Sequence, residues 1–473
     1  MSPEVFTTML AMVGVVIVVS TLLSGIIDKT GLPHVAVFLL LGAIVGPAGI
    51  ALLDPQLDSP LLQVVATLSL ALVLFTDAIG LDLKELKRHA GLAVRVLGPG
   101  TLLSAAATGF LAWALLGLSP AASAVLGAAL ASTDPVLLRG LTRRSDIHAV
   151  ARLALRLESG LNDAVLLPIV IVAMAFLNHG APQLGKIVLS VALLGPLAGV
   201  GCGVVAVSAL TFIRKRFGVR RDYESIYSLG VAFAAYAAAD ALHGSGFLAA
   251  FAAGLTIVVL DVELCDCFLE YGETTAEMAL LFTFVLFGAS SIWSAFQAIS
   301  PAALTFAVAV LLLRPIVFAA SLLGSGVDRK GKLLIGWFGP RGLSSLLLVL
   351  LPVFARMPGS IELFQLCSLV VLLSVVVHGG SLIVLRRRVP PAEAAPAPAP
   401  APVPAPDVPV RIGIPEAAAL PNARFVDVRT ERSASESKEQ IRGSVRVDPA
   451  ADVVGQVRRL GIRPDEPIIL YCA

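Results

Sequence analysis

Apolar residues run along most of this chain in blocks of about 20, the length a helix needs to cross the hydrocarbon core of a bilayer. The blocks fall near 5–27, 33–53, 60–81, 91–117, 120–140, 150–177, 184–213, 224–242, 245–262, 277–296, 301–324, 332–355 and 361–385. Read as spans, they predict an all-α polytopic membrane protein of about 13 transmembrane helices over residues 1–388. The first block, starting near Val5, has no basic stretch before it and no small-residue cleavage site. It predicts a retained span rather than a cleaved signal.

The charges between the blocks orient them. With the N-terminus outside, the odd-numbered loops carry Lys84, Lys87 and Arg88, then Arg139, Arg143 and Arg144, then Arg214, Lys215, Arg216, Arg220 and Arg221. Later odd loops carry Arg329, Lys330 and Lys332, and finally Arg386, Arg387 and Arg388, whereas the even loops hold little beyond Lys186 and Arg356. Basic residues stay in the cytoplasm, so the pattern predicts a multi-pass protein of the cell (inner) membrane, N-terminus outside and C-terminus cytoplasmic. The segment 261–273, rich in Asp and Glu, reads as a loop; acidic residues weigh little in this rule.

Past Arg388 the pattern changes. Residues 389–409 are almost entirely Pro and Ala, a stiff linker. Residues 410–473 are polar and mixed, and predict a small soluble segment on the cytoplasmic side. Composition agrees with the division: 57% of residues are hydrophobic and 14% charged, with mean hydropathy +0.89, against about 25% charge in a soluble domain. A net charge of +2 offers nucleic acid no electrostatic footing. Cys202, Cys265, Cys267, Cys367 and Cys472 form no C-x-x-C pair and no disulfide framework. No cofactor motif is present; the expected partners are monovalent cations, protons and lipid.

Charged residues inside the blocks carry the chemistry, because an ionised group at mid-bilayer costs about 2.5–3.5 kcal/mol and usually marks an ion path. Asp134 lies in Ala131-Ser132-Thr133-Asp134-Pro135, where Pro135 removes a backbone donor and predicts a broken helix. A broken helix leaves carbonyls and helix ends within the membrane as ligands and dipoles; a structural cap on the break is the other reading of Asp134. In Glu158-Ser159-Gly160-Leu161-Asn162-Asp163, Glu158 and Asn162 share one helix face and Ser159 and Asp163 the next. Two carboxylates, a hydroxyl and an amide oxygen suit a hard monovalent cation, and a carboxylate can trade that cation for a proton; a polar packing seam is the alternative. Arg314, in Leu312-Leu313-Arg314-Pro315, needs a partner if buried, and Glu158 is the candidate; otherwise it snorkels to the interface. Gly339-Pro340-Arg341-Gly342 predicts a second broken helix, and the paired interruptions suggest inverted repeats. Asp77 lies near the end of the third block and reads either as part of an ion route or as a cap.

Together these motifs resemble sodium/proton antiporters of the NhaP and NHE kind. Glu158 to Ala164 is similar to their E-S-x-x-N-D-A stretch, Thr133-Asp134-Pro135 to their T-D-P break, and Gly339 to Gly342 to their G-x-R-G segment. His243 to Leu255 is similar to their S-G-x-x-A-x-x-x-A-G-L signature, and all four occur in the family's order across residues 1–388. The resemblance implies a homodimer with a moving core domain and two broken helices crossing near the site. It implies that Asp163 takes cation and proton in turn, that Thr133, Ser159 and Asp134 help ligate, and that Glu158 pairs with Arg314. Arg341 is a further functional candidate, although Pro340 departs from the family pattern. The Asn-Asp pair resembles the electroneutral branch.

The tail resembles the start of a rhodanese domain through Phe425-Val426-Asp427-Val428-Arg429, Ile441 to Val445 and Ile468 to Cys472. The family's active loop would follow Cys472, but only Ala473 does, so a truncated, catalytically inactive α/β fragment is expected. Three functions compete: cation/proton antiport with Na+ the first choice and Li+ or K+ as alternatives, a tail-regulated potassium efflux system, and a membrane-tethered sulfurtransferase. The potassium system would want a nucleotide-binding fingerprint that the tail lacks. A mere anchor would not need buried carboxylates in several spans.

Overall fold

A computed structural model of the chain describes residues 14, 15, 18, 19, 22, 33–52, 55–134, 138, 147–177, 184–217, 219, 221–260, 262–289 and 291–388. In the tail it describes 424–428, 441, 443–447, 456, 460 and 468–471. The chain divides into two compact units, Met1–Ala394 and Ala395–Ala473.

The regular structure of the first unit is all helical among its described residues. Its elements are α1 (His34–Val45), α2 (Pro60–Ile79), α3 (Leu83–Arg88), α4 (Ala90–Leu116), α5 (Pro120–Ala131), α6 (Ala149–Leu177) and α7 (Gly185–Arg216). There follow α8 (Arg221–Ala241), α9 (Gly246–Leu260), α10 (Val262–Ala289), α11 (Pro301–Ser321), α12 (Arg329–Trp337), α13 (Leu343–Phe354) and α14 (Ser360–Arg388). Three helices open on Ser-Pro: the Ser59, Ser119 and Ser300 hydroxyls accept from the amides of Leu62, Ala122 and Ala303, and the following proline occupies the first helical position. The serine satisfies an otherwise bare amide, and proline costs nothing where no amide is needed.

Small residues let these helices approach closely, as expected where lipid offers no hydrophobic drive between helices. Gly42 of α1 and Gly46, just past its end, lie against the backbone of Gly288 and Ala289 of α10. Gly127 of α5 lies on Ala105 and Gly109 of α4, and Gly199 of α7 on Ala249 of α9. A methyl group at any of these glycines would overlap backbone.

By length and apolarity, six helices among the described residues suffice to cross a membrane, or seven if the bent pair Met278–Ala289 and Ser291–Ala298 is one span. The expected thirteen therefore includes shorter helices, such as α1, α5, α9 and α13. The first expected span, 5–27, lies almost wholly outside the described residues. Two boundaries need correction. Helix α10 begins at Val262, so most of the segment read as an acidic loop is helical. The block 277–296 is not one straight rod but bends by 52° after Ala289. The apolar pattern located the buried stretch and missed the helical turns beyond it.

In the second unit, β1 (Arg424–Asp427), β2 (Val445–Arg446) and β3 (Ile468–Tyr471) form a parallel sheet in the order β2-β1-β3. Val426 faces Val445 on one side and Leu470 on the other. Cys472 and the linker lie outside the described residues.

Candidate functional site: the crossing of two broken helices

Two interruptions meet inside the first unit. Helix α5 stops at Ala131, and Ser132, Thr133 and Asp134 run on without helix, all buried. Helix α12 stops at Trp337, and α13 resumes only at Leu343. The Asp134 amide donates to the Pro340 carbonyl at 2.9 Å, which joins the two extended stretches. Pro135 lies outside the described residues.

Each break caps the other. The Asp134 carboxylate accepts from the Leu343 amide at 3.0 Å, at the bare N-terminus of α13. The Arg341 guanidinium donates to the carbonyls of Ala131 and Ser132, 3.0 and 3.3 Å away, at the end of α5. A carboxylate thus faces the positive end of one helix dipole and a guanidinium the negative end of the other. Glycine is required where the segments touch: a side chain at Gly342 would overlap the Asp134 carboxyl, and one at Gly339 the Arg314 guanidinium. The Arg341 amide donates to Ser374 Oγ at 2.7 Å, and Ser374 Oγ lies 2.9 Å from His378 Nδ1, so α14 holds the second break from behind.

Helix α6 brings its polar face to the crossing. Glu158, fully buried, receives two parallel bonds from Arg314 of α11, 2.7 and 2.6 Å long. Arg314 also donates to the Ile335 carbonyl and stacks 4.1 Å over Phe318, so it does not snorkel. Thr133 Oγ1 donates to Glu158 Oε1 at 3.2 Å and accepts from Asn162 Nδ2 at 2.8 Å. Asp163 accepts from the Ser132 hydroxyl through Oδ1. The Ser344 hydroxyl, from the first turn of α13, approaches the same carboxyl group without closing an aligned bond.

Two acceptors are left over. Asp163 Oδ2 and Asn162 Oδ1 are buried and have no hydrogen-bond partner among the described residues. Leaving a carboxylate oxygen so costs free energy unless a proton or a cation completes it. The charges of Asp134 and Glu158 also reach Asp163. Three buried carboxylates, Asp134, Glu158 and Asp163, thus stand against two buried guanidiniums, Arg314 and Arg341. With all five ionised, one negative charge remains.

The structure therefore brings together Thr133, Asp134, Glu158, Asn162, Asp163, Arg314 and Arg341. Ser159 takes a different place: its hydroxyl donates to the Arg156 carbonyl one turn back, at 3.4 Å, and not to Asp163. Asp77 is half-buried near the end of α2, whose Phe75–Ala78 stretch packs on Gly254 of α9. The contacts named above come from other residues. Ser132, Ser344 and Ser345 were not among the expected site residues. Ser345 Oγ donates to the Ser132 carbonyl at 3.3 Å. Their positions beside the Thr-Asp-Pro and Gly-Pro-Arg-Gly breaks were the available signal.

Residues 15–387 match the family model described as sodium/hydrogen exchanger, transmembrane. The chain is 25% identical over 389 residues to the K(+)/H(+) antiporter NhaP of Alkalimonas amylolytica, across 80% of this chain and 66% of that one. It is 26% identical over 393 residues to the K(+)/H(+) antiporter NhaP2 of Shewanella sp. (strain MR-4), across 78% and 65%. The chain thus spans just under two thirds of the length of these curated relatives. Among solved structures, the sodium proton antiporter MjNhaP1 from Methanocaldococcus jannaschii at pH 8 shares the fold. Its TM-score is 0.64 at 23% identity, over 80% of this chain and 99% of that one.

Proposed function

The chain belongs to the sodium/hydrogen exchanger family, and from that premise we propose that it exchanges a monovalent cation for protons across the cell membrane, with Asp163 as the exchange site. The observation that carries this reading is the buried, unpartnered Asp163 Oδ2 within a cluster that lacks one positive charge for neutrality. One proton on that carboxyl, or one monovalent cation against it, neutralises the cluster. The two loadings exclude each other: the cation arrives as the O–H proton leaves, and the returning proton displaces the cation. One charge in and one charge out makes the exchange electroneutral, and Asn162 adds an oxygen ligand without adding charge.

Ser132, Thr133, Asn162 and Ser344 supply oxygens around the ion. Alternating access follows from movement at the crossing, where α5 and α13 meet through a few side-chain and backbone bonds rather than continuous helix. The family premise supports a homodimer, and the loop charges support an outside N-terminus and a cytoplasmic tail. The tail is an accessory, since every proposed ligand lies in residues 132–344.

Na+ is the cation of the leading reading, in keeping with the solved relative's name; K+ is the second, in keeping with the names of the curated relatives. Proteoliposomes holding an acid interior and a pH-sensitive dye separate them on addition of Na+, Li+, K+ or Rb+. Dequenching with Na+ at lower concentration than K+ supports the first reading and the reverse order the second. No response to any of the four would reject cation/proton exchange.

A further inference from the structure

A cavity of about 390 Å³ opens at the end of the helices on the side of the odd-numbered loops. It lies away from the crossing and plays no part in the exchange chemistry above. Its walls include Arg88 and His89 at the α3–α4 junction, Arg95 of α4, and Gly324, Ser325 and Gly326 in the turn after α11. Val150, from the start of α6, closes it. Three loops distant in sequence thus converge on one basic hollow.

The charges in it are unbalanced. No carboxylate lines the cavity among the described residues. Among the described residues the acids close in sequence have other partners as well: Asp82 caps α3 through the amides of Lys84 and Glu85 and also feels the charge of Arg88, Glu85 lies 3.8 Å from Arg156, and Asp328 caps α12 through the Gly331 amide. Arg95 spends one N–H on the Leu323 carbonyl at 2.9 Å, which fixes its guanidinium against the turn. Arg88 and His89 make no ion pair among the described residues. Gly324 and Gly326 take φ of +70° and +75°, a left-handed conformation that suits glycine, so Ser325 alone brings a side chain to this wall.

The surroundings are apolar. Val94, next to Arg95, is 67% exposed, and Leu323, next to Gly324, is 70% exposed. In a membrane these side chains face acyl chains at the level where the helix ends meet the headgroups. Basic hollows between transmembrane helices on the cytoplasmic side hold anionic headgroups. We propose that this cavity is a binding site for the phosphate-bearing headgroup of an anionic phospholipid, held by Arg88, His89 and Arg95 with its chains along Val94 and Leu323. A soluble phosphate would need the basic groups but not the exposed apolar rim, which favours the lipid. A headgroup seated there bridges the start of α4 to the start of α6 and the end of α11, and these last two helices carry Asp163 and Arg314.

The test uses the delipidated full chain in detergent, followed by native mass spectrometry with dioleoyl phosphatidylglycerol or dioleoyl phosphatidylcholine. The parent should retain phosphatidylglycerol in preference to phosphatidylcholine, with a large excess of inorganic phosphate failing to displace it. Arg88→Gln, which removes no bond within the protein named above, should weaken retention about fivefold, and Arg88→Gln with Arg95→Gln by about 20-fold or more. Equal retention by Arg88→Gln and parent would overturn the site. So would equal retention of the two lipids. Displacement by inorganic phosphate would assign the cavity to a soluble anion and overturn the lipid proposal.

Discussion

The two breaks at the crossing do the same thing to the backbone and opposite things to charge. Residues 132–134 end a helix with carbonyls facing the crossing and carry an acid; residues 338–342 begin a helix with an amide facing the crossing and carry a base. Each charge is used on the other break: Arg341 on the carbonyl end of α5, Asp134 on the amide end of α13. The same division recurs along α6. Glu158 has both oxygens on Arg314, whereas Asp163 has one oxygen on a serine and the other on nothing among the described residues. What the contrast teaches is that most buried charge here builds the crossing, and one carboxylate is left for the ion.

The largest expected effect breaks that contrast at its functional end. Asp163→Asn keeps the shape and removes the ionisable group, so exchange in proteoliposomes should fall to the leak of empty vesicles while the protein stays folded and elutes as the parent does. Exchange surviving in that variant would move the assignment to Asp134.

Next is the structural pair. Glu158→Ala strands the Arg314 guanidinium in the interior and should lower unfolding stability by about 3–5 kcal/mol, since a buried pair broken on one side leaves an uncompensated charge. Glu158→Ala with Arg314→Ala should recover part of the loss. If the double variant is as unstable as the two single losses added together, the residues do not act as partners, and thermal denaturation of the purified proteins decides it.

Arg341→Gln is a smaller perturbation. It removes charged hydrogen bonds to the end of α5, and we expect a loss of about 1.5–3 kcal/mol. It also upsets the charge balance, so exchange should decline as well; a variant as stable as the parent would mean that α5 does not depend on this cap. Smallest of all is Asp134→Asn. Asparagine accepts a helix N-terminal amide about as well as aspartate does. Stability should change by about 0.5 kcal/mol or less, and exchange should decline, because the cluster loses one negative charge, without being abolished. Abolished exchange in a stable Asp134→Asn would make Asp134 a charge-carrying site and erase the division between building and exchanging residues.

Much of this was legible along the chain because a charge in an apolar block is conspicuous. Glu158, Asp163, Arg314 and Arg341 stand out for that reason, and the prolines and glycines marked both breaks. The serine hydroxyls were harder to read. Serine is common in membrane helices, and a place beside a break does not say what the hydroxyl touches; the contact of Ser132 with Asp163 joins residues 31 positions apart. Nor does helical spacing say where a hydroxyl turns, which is why Ser159, on the face of Asp163, instead bonds to its own helix. Helix ends were blurred where polar turns continue an apolar one, as at Val262. In the tail, the stretches that resemble a rhodanese domain overlap the three strands, but the strand order, with β1 central, was not read from the sequence.

The central claim is that cation and proton compete for one carboxyl, and the apparent cation KM as a function of pH tests it most directly. In proteoliposomes containing the parent protein, KM should fall as pH rises, because fewer protons contend for Asp163, while the maximal rate at saturating cation changes far less. A KM independent of pH across the active range, with only the maximal rate responding to protons, would contradict a shared site.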